Sequence, residues 1–186
     1  MLAINDHWSY GFFGGARQAQ FSNLKLNAWL TAGLEYNLFR YQEVAKRQFT
    51  FRYRVGPRLN RYFDETIYFK KEEALWEHSL TAWYQEVFQW GRINVGVFRG
   101  NYLHNWRLNE TNIWSGIELN LFKGFNLNIH ADYGVVRNQV ELPNGGASKE
   151  EALLRIRQLQ TGYNYSFFIG ASYTFGSIYS NVVNPR

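Results

Sequence analysis

The chain has 186 residues, a length that suits one domain. Aromatic residues make up 19%, which is high for a soluble domain and typical of the aromatic belts at membrane edges. The formal charge of +5 is spread along the chain, so we expect no nucleic-acid partner. With no cysteine, a disulfide framework, a thiolate metal site and a cysteine nucleophile are excluded. No apolar run approaches the roughly 20 residues of a membrane-spanning helix.

Long segments alternate between apolar and polar residues, as strands with one apolar and one polar face do. The pattern predicts eight strands, at residues 7–18, 24–39, 47–61, 75–88, 92–104, 111–122, 125–138 and 159–176. Most of them exceed the roughly 9–11 residues that a strand needs to cross a membrane. Their polar positions carry charged and amide side chains in mid-strand. We therefore predict an all-β fold, an antiparallel up-and-down eight-stranded transmembrane β-barrel with its polar residues inside.

The alternation assigns each strand residue to one of two faces. The residues predicted to face lipid are Leu26, Leu30, Leu34, Ile117, Leu119, Leu127, Ile129, Phe167 and Ile169. The residues predicted to form a charge network in the lumen are Lys25, Glu35, Arg52, Arg54, Arg58, Glu118, His130 and Asp132. Side chains fill the interior of an eight-stranded barrel, so charges there must be paired and hydrogen-bonded.

Connection lengths orient the predicted barrel. The long loops, at residues 62–74 and 142–158, alternate with short turns, and single-chain barrels keep their short turns in the periplasm. Both termini are then periplasmic, and the first strand pairs with the last to leave no free edge. We also expect a bulge or frayed end at Pro57, a short loop at residues 105–110, and a short helix or loop after Ser148. The N-terminus shows no signal-peptide pattern, so we expect a mature or trimmed form.

No motif indicates catalysis, a cofactor or a metal. The four histidines have no zinc-ligand spacing. A lipid-modifying enzyme would need His104 or His130 to lie beside Ser115 or Ser166 in space. Their positions along the sequence do not show whether they do. The arginines of the third predicted strand would also suit a small passive pore, which is an alternative function. A soluble ligand-binding barrel would require the apolar faces to point inward.

The tail F-F-I-G-A-S-Y-T-F-G-S-I-Y-S-N-V-V-N-P-R resembles the end of a group of uncharacterised Gram-negative outer-membrane β-barrel proteins. The segments L-N-L-F-K-G-F-N-L-N-I and L-P-N-G-G-A-S-K-E-E-A are similar to the same group. The resemblance implies a location in the bacterial outer membrane. It implies contact with membrane lipid and lipopolysaccharide, with other outer-membrane or periplasmic proteins as further candidate partners. It supplies no catalytic residues, so the expected role is a membrane anchor, scaffold or interaction subunit without catalysis.

Overall fold

The structure is a computed structural model that describes residues 1–146, 151, 154 and 162–175. In this part of the chain, nine strands form one sheet in which each strand pairs antiparallel with the next. The strands are β1 Leu2–Ala3, β2 Trp8–Ala19, β3 Leu24–Asn37, β4 Arg47–Tyr62, β5 Glu72–Phe88, β6 Gly91–Tyr102, β7 Asn105–Phe122, β8 Phe125–Val136 and β9 Tyr163–Tyr173. The connections include two 3₁₀ helices, Gln20–Ser22 and Tyr41–Glu43. The predicted all-β, antiparallel, up-and-down arrangement is confirmed.

The start of β7 differs from the prediction. This strand begins at Asn105, so residues 105–110 were wrongly predicted to be a loop. The polar run N-W-R-L-N-E lacks clear alternation, but side-chain amides hold it in place: the Asn101 amide donates to the carbonyl oxygen of Trp106 at 3.0 Å. A register shift between Asn101 and Tyr102 absorbs the extra residues.

Pro57 lies within β4 and produces neither the bulge nor the frayed end that we predicted. The β4–β5 register is continuous along the whole of β4, and Pro57 is opposite Trp76. Pairing between β3 and β4 skips Gly56 and Pro57 and then resumes in the same register. Proline has no N–H to donate, so the ladder on the β3 side loses a bond without changing its register. At Gly56 an added Cβ would lie 2.0 Å from the carbonyl oxygen of Leu30, so the two backbones approach too closely for a side chain.

The two edges of the sheet do not meet in the described residues. The outer edge of β2 pairs instead with the unpredicted strand β1, which places Leu2 opposite Tyr10 and Ala3 opposite Ser9. The predicted pairing between the first and last long strands is absent from this part of the chain, so the sheet is open there. Residues 159–161 and 176 of the predicted last strand, the tail, and residues 147–158 with the predicted helix or loop lie outside the described residues, apart from Glu151 and Leu154.

Two connections pack together over one end of the sheet, and we call residues 63–71 and 137–146 the cap. The Ile67 N–H donates to the carbonyl of Leu142 at 2.9 Å, and the Asn144 N–H donates to that of Glu65 at 2.7 Å. The Asn23 amide donates to one carbonyl in each connection, at 3.0 and 2.9 Å. Val140 of the cap packs with buried apolar side chains of the sheet, namely Leu75, Tyr102 and Leu108. The apolar core is therefore at the cap end and not between two sheets.

The close approach at Gly56 gives a test of this packing. We expect Gly56→Ala to destabilise the fold by about 1–3 kcal/mol, because its methyl group must push β3 and β4 apart. The measurement is the urea midpoint of the refolded protein.

Gly11→Ala is the matched control, since a Cβ there meets mainly the movable Met1, with the nearest atom at 3.2 Å. We expect the control to be neutral or slightly stabilising. Equal losses in the two variants would contradict the assigned close approach.

Candidate functional site

Burial is inverted across this sheet. The face that carries the polar residues, which we call the polar face, is the more buried one. Its buried members include Ser9, Asn27, Thr31, Glu35, Asn37, Thr50 and Asn60. The opposite face exposes large apolar side chains, among them Leu30, Leu34, Leu80, Val97, Ile113, Phe167 and Ile169. A water-soluble sheet normally buries its apolar face instead.

An ion pair between Glu35 and Arg52 lies on the polar face. The register of β3 and β4 sets these two residues directly opposite one another, so their side chains leave the sheet on the same side. Arg52 holds one Glu35 oxygen with two nitrogens, Nη2 at 2.5 Å and Nε at 2.7 Å. The carboxylate is almost fully buried, with 8% of its side chain exposed, so the guanidinium compensates a charge that water cannot reach.

Two further arginines of β4 follow on the same face. The Arg58 Nε lies 2.8 Å from a Glu77 carboxylate oxygen on β5, which makes a second cross-strand ion pair. Arg54 has no carboxylate within ion-pair distance among the described residues, and its guanidinium carbon lies 3.8 Å from the centroid of the Phe13 ring. The Trp29 ring reaches across to β2, where an added Cβ at Gly15 would lie 2.6 Å from it.

A chain of hydrogen bonds continues the polar face towards the cap. The Asn27 amide donates to the Asn60 side-chain oxygen at 2.6 Å, and the Asn60 amide donates to the Tyr62 hydroxyl at 3.0 Å. The Tyr62 hydroxyl donates to Glu73 at 2.6 Å, and Glu73 also pairs with Lys70 at 2.6 Å. The polar network thus joins three strands to the cap.

The other predicted lumen residues lie apart from this network. Lys25 was predicted to face inward, but a register shift between Leu24 and Leu26 reverses the facing there, so that Lys25 is exposed while Leu24 is buried. Glu118 lies 3.9 Å from Arg92 in a half-exposed pair near the opposite end of the sheet. His130 and Asp132 are exposed beside the open edge at β9.

The candidate catalytic residues do not form a nucleophile and base pair. The Ser166 hydroxyl donates to an Asp132 carboxylate oxygen at 3.0 Å, whereas His130 lies opposite Phe168. His104 is in the turn after β6, and its ring is 5.9 Å from that of Tyr102. Among the residues that the structure describes, no three histidine or acidic side chains form a group able to hold a metal ion.

A cavity of about 300 Å³ opens on the polar face near the cap. Its lining combines charged groups with aromatic rings, namely Arg54, Arg58, Glu77, Glu110, Trp29, Phe98 and Tyr102. Sequence reasoning identified the β4 arginines but missed Glu77 and Glu110, which lie in or beside segments where the alternation is weak. The register was the missing signal, because it places Glu77 and Glu110 on the face of the arginines.

Two hydrogen-bonded rows across the sheet show how the exposed apolar residues are arranged. The row nearer the cap is polar only on β6 and β7, in the order Leu34, Tyr53, Leu80, Arg99, Thr111, Val135 and Tyr163. A second row lies six residues further from the cap along each strand and is charged only on β4 and β5, in the order Arg47, Glu86, Ile93, Ile117, Ile129 and Ile169. The apolar residues therefore form a diagonal band, which lies nearer the cap on β4 and β5 than on β6 and β7.

Comparison with known proteins gives no relative: no family model, curated protein or solved structure matches this chain. The helical parts of the described chain contain no segment long and apolar enough to cross a membrane. The resemblance of the tail to outer-membrane barrels stays a prediction.

Removing Glu35 tests the central ion pair. We expect Glu35→Ala to cost about 3 kcal/mol, because it leaves the Arg52 charge partly buried without a partner. The free energy of unfolding in urea is the measurement.

Glu72→Ala is the matched control. Glu72 and Arg61 also form a glutamate–arginine ion pair, but 73% of the Glu72 side chain is exposed. We expect the control to lose less than about 1 kcal/mol. A similar loss in both variants would show that the polar face is open to solvent.

Glu141 in the cap gives a pH test. Loss of hydration on burial raises the pKa of its carboxyl above the usual range, although its own backbone N–H and Arg17 act in the opposite direction. Between the ordinary pKa and the raised one, the folded state binds more protons than the unfolded state, so this group makes stability fall as pH rises. We expect Glu141→Gln to be more stable than the unchanged protein at neutral pH, and the gain to vanish below about pH 4.

The exposed cap residue Glu65 provides the control variant, Glu65→Gln. Unfolding midpoints measured from pH 4 to pH 8 should show no such pH-dependent gain for it. A gain for Glu141→Gln that grew towards low pH would contradict the assignment.

Proposed function

We propose that the chain forms a closed eight-stranded barrel in the bacterial outer membrane, where it serves as an anchor, scaffold or interaction subunit. Strands β2–β9 would form the wall, and the polar face would line the interior. Acyl chains and lipopolysaccharide would contact the apolar face. The diagonal apolar band, on a sheet that buries its polar face, is the observation that carries this proposal.

The direction of the band is what a barrel in a membrane requires. Strands in barrels tilt by about 35–45°, so hydrogen-bonded rows are inclined to the membrane plane by the same angle. A horizontal belt must then cross the rows diagonally. On β5 the band includes Leu80 but not Glu86, whereas on β6 it includes Ile93 but not Arg99, so it crosses the rows between these two strands.

The ends of the wall support the same proposal. On β5, β6 and β7 the residues of the two rows that fall outside the diagonal band are polar, namely Glu86, Arg99 and Thr111. Arg99 donates to the Thr111 hydroxyl at 3.0 Å, so its charge lies among polar groups beyond the band. Pairing between β2 and β9 would close the sheet. It would give hydrogen-bond partners to the edge N–H and C=O groups, which lipid cannot bond. The cap would then lie outside the cell, with both termini in the periplasm.

The ion pairs favour a filled interior over a pore or an enzyme. Glu35 and Glu77 neutralise two of the β4 arginines, and the cap covers the end of the sheet to which these arginines lead. The serine and histidine candidates do not contact one another in the described chain. An anchor or scaffold requires neither an open passage nor a nucleophile, and its exposed cap would be available to partner proteins.

A single arginine in the band tests the proposal. Ile169 has 56% of its surface exposed and lies in the apolar part of the second row. We expect Ile169→Arg to cost about 2–4 kcal/mol of folding free energy in lipid vesicles, because the charge would meet hydrocarbon. Folding is measured by urea titration, and the refolded unchanged protein should show heat-modifiable gel mobility.

Leu103→Arg is the matched control, since Leu103 has 42% exposure but lies in the turn near the cap. We expect it to lose less than about 1 kcal/mol, as positions near the interface do. If the protein were soluble, Ile169→Arg and Leu103→Arg would both be nearly neutral, because both side chains are exposed. Near-neutral behaviour of both variants, or a monomer that stays soluble without detergent, would overturn the proposal.

A further inference from the structure

Two strand edges have no partner along most of their length in the described chain. On β2, the N-terminal strand β1 pairs only with Ser9 and Tyr10, so the edge along residues 11–19 is free. On β9, the edge that faces away from β8 has no partner strand among the described residues. The proposed barrel requires these two edges to pair, and the remaining question is which residues of β2 lie opposite which residues of β9.

The hydrogen-bonded rows limit the possible registers. The row that begins at Tyr10 on β2 reaches Tyr163 on β9. In a closed barrel such a row returns to its first strand displaced by a fixed number of residues, the shear. The shear must be even, because Tyr163 must lie opposite a residue of its own face. For eight strands, shears of 8 and 10 residues give tilts of about 35° and 42°, whereas 6 and 12 give about 28° and 47°, outside the usual range.

Of these two registers, the larger shift matches the edges in size. It sets residues 12–16 of β2, F-F-G-G-A, against residues 167–171 of β9, F-F-I-G-A, in antiparallel order. Every pair then joins a large residue to a small one: Phe12 with Ala171, Phe13 with Gly170, Gly14 with Ile169, Gly15 with Phe168, and Ala16 with Phe167. The smaller shift would place Phe13 opposite Phe168 on the polar face, where an eight-stranded barrel has little room.

The described sheet already contains a glycine between two aromatic rings. Gly96 lies between Trp83 on β5 and Trp114 on β7, whose rings stack on the polar face with their centroids 6.2 Å apart. Gly15 lies opposite a tryptophan of β3, and an added Cβ at Gly15 would lie 2.6 Å from that ring. With the larger shift, Phe168 would lie on the other side of Gly15, so the arrangement around Gly96 would be repeated.

The larger shift also supplies a cation for Asp132. This carboxylate is exposed beside the free edge, receives a hydrogen bond from the Ser166 hydroxyl at 3.0 Å, and has no ion pair among the described residues. Arg17 of β2 would lie opposite Ser166, two strand spacings or about 10 Å from Asp132 and on the same face. A guanidinium can span this distance, although the charge of Arg17 also acts on Glu141 in the cap. The smaller shift would set Arg17 opposite the neutral Asn164.

We propose that β2 and β9 pair in a single register, with Gly14 opposite Ile169, and that the complementary sizes of residues 12–16 and 167–171 select it. This register presupposes the proposed barrel and names the partner of the free β2 edge, which is β9 of the same chain and not a second copy. It replaces β1 only at Tyr10, whereas the smaller shift would displace β1 from both residues with which it pairs.

Engineered cysteine pairs identify the register, because the chain contains no cysteine. Directly opposite Cα atoms lie about 4.5–5.5 Å apart, within disulfide range, whereas an offset of two residues gives about 8 Å, which is too far. We expect Ala16→Cys with Phe167→Cys to form an intramolecular disulfide when the full chain, refolded in detergent, is oxidised. Ala16→Cys with Tyr165→Cys is the matched control, since these positions are opposite only under the smaller shift, and it should stay reduced.

Non-reducing gels of the unfolded protein distinguish the outcomes, since a linked monomer and a linked dimer migrate differently. A disulfide in the Tyr165 pair alone, equal disulfides in both pairs, or a linked dimer would overturn the register. The same conclusion follows if neither pair is linked in a protein whose gel mobility is heat-modifiable, and the proposed barrel then stands. Absence of both the link and heat-modifiable mobility would contradict the barrel itself.

Exchanging two residues of β9 tests whether size selects the register. In the double variant Phe168→Gly with Gly170→Phe, the proposed register would set two phenylalanines opposite one another at Phe13, and the smaller shift would remove this conflict. We expect the yield of the Ala16–Phe167 cysteine link to fall at least about tenfold, because overpacking the interior is costly. A rise in the yield of the Ala16–Tyr165 link would show that the register has moved, and an unchanged pattern of links would show that residue size does not select it.

Discussion

The fold depends on placing opposite charges directly across from one another on a buried face. A carboxylate as shielded as Glu35 is costly to hold without a cation, and a slip of one residue between β3 and β4 would remove Arg52 from its reach. Because strand side chains alternate with a period of two, the same slip would also exchange the polar and apolar faces. Register, ion pairing and the direction of the apolar face are therefore one constraint and not three.

This constraint has consequences for the medium around the sheet. Because the charged residues pair on the polar face, the leucines, isoleucines and most aromatic rings of these strands lie on the opposite face and are exposed. The largest apolar patch of an ordinary monomer covers a few hundred Å², and wider ones mark contact with a partner or a membrane. The proposed membrane location rests on this exposed apolar face and on the shift of its band between β5 and β6, where it crosses the rows as a belt around tilted strands would. The edge of β2 beyond Tyr10 and the edge of β9 have no partner strand in the described residues, and closure of the proposed barrel would pair them.

The sequence predicted those strands in which the alternation is unbroken, and it failed where tertiary contacts replace the pattern. Strand β3 was predicted from alternation alone, although the shift at Leu24 reversed the facing of Lys25, which no single-strand pattern can show. Residues 105–110 lack alternation, and the Asn101 amide holds them in the sheet from the neighbouring strand. The effect of Pro57 depended on the neighbouring Gly56, whose close contact with β3 exists only in the assembled sheet.

The cap was also beyond sequence reasoning, and it alters how the β4 arginines are interpreted. Its two connections are separated by many residues, and Asn23, from a third connection, binds both of them. Three arginines along one strand indicate an anion passage only if their charges remain available and both ends are open. Here two of the three are held by glutamates, and the cap packs over the end towards which they lead. The third, Arg54, has no ion-pair partner among the described residues and stacks on the Phe13 ring, so the charges of this strand are not presented together to one end of the sheet.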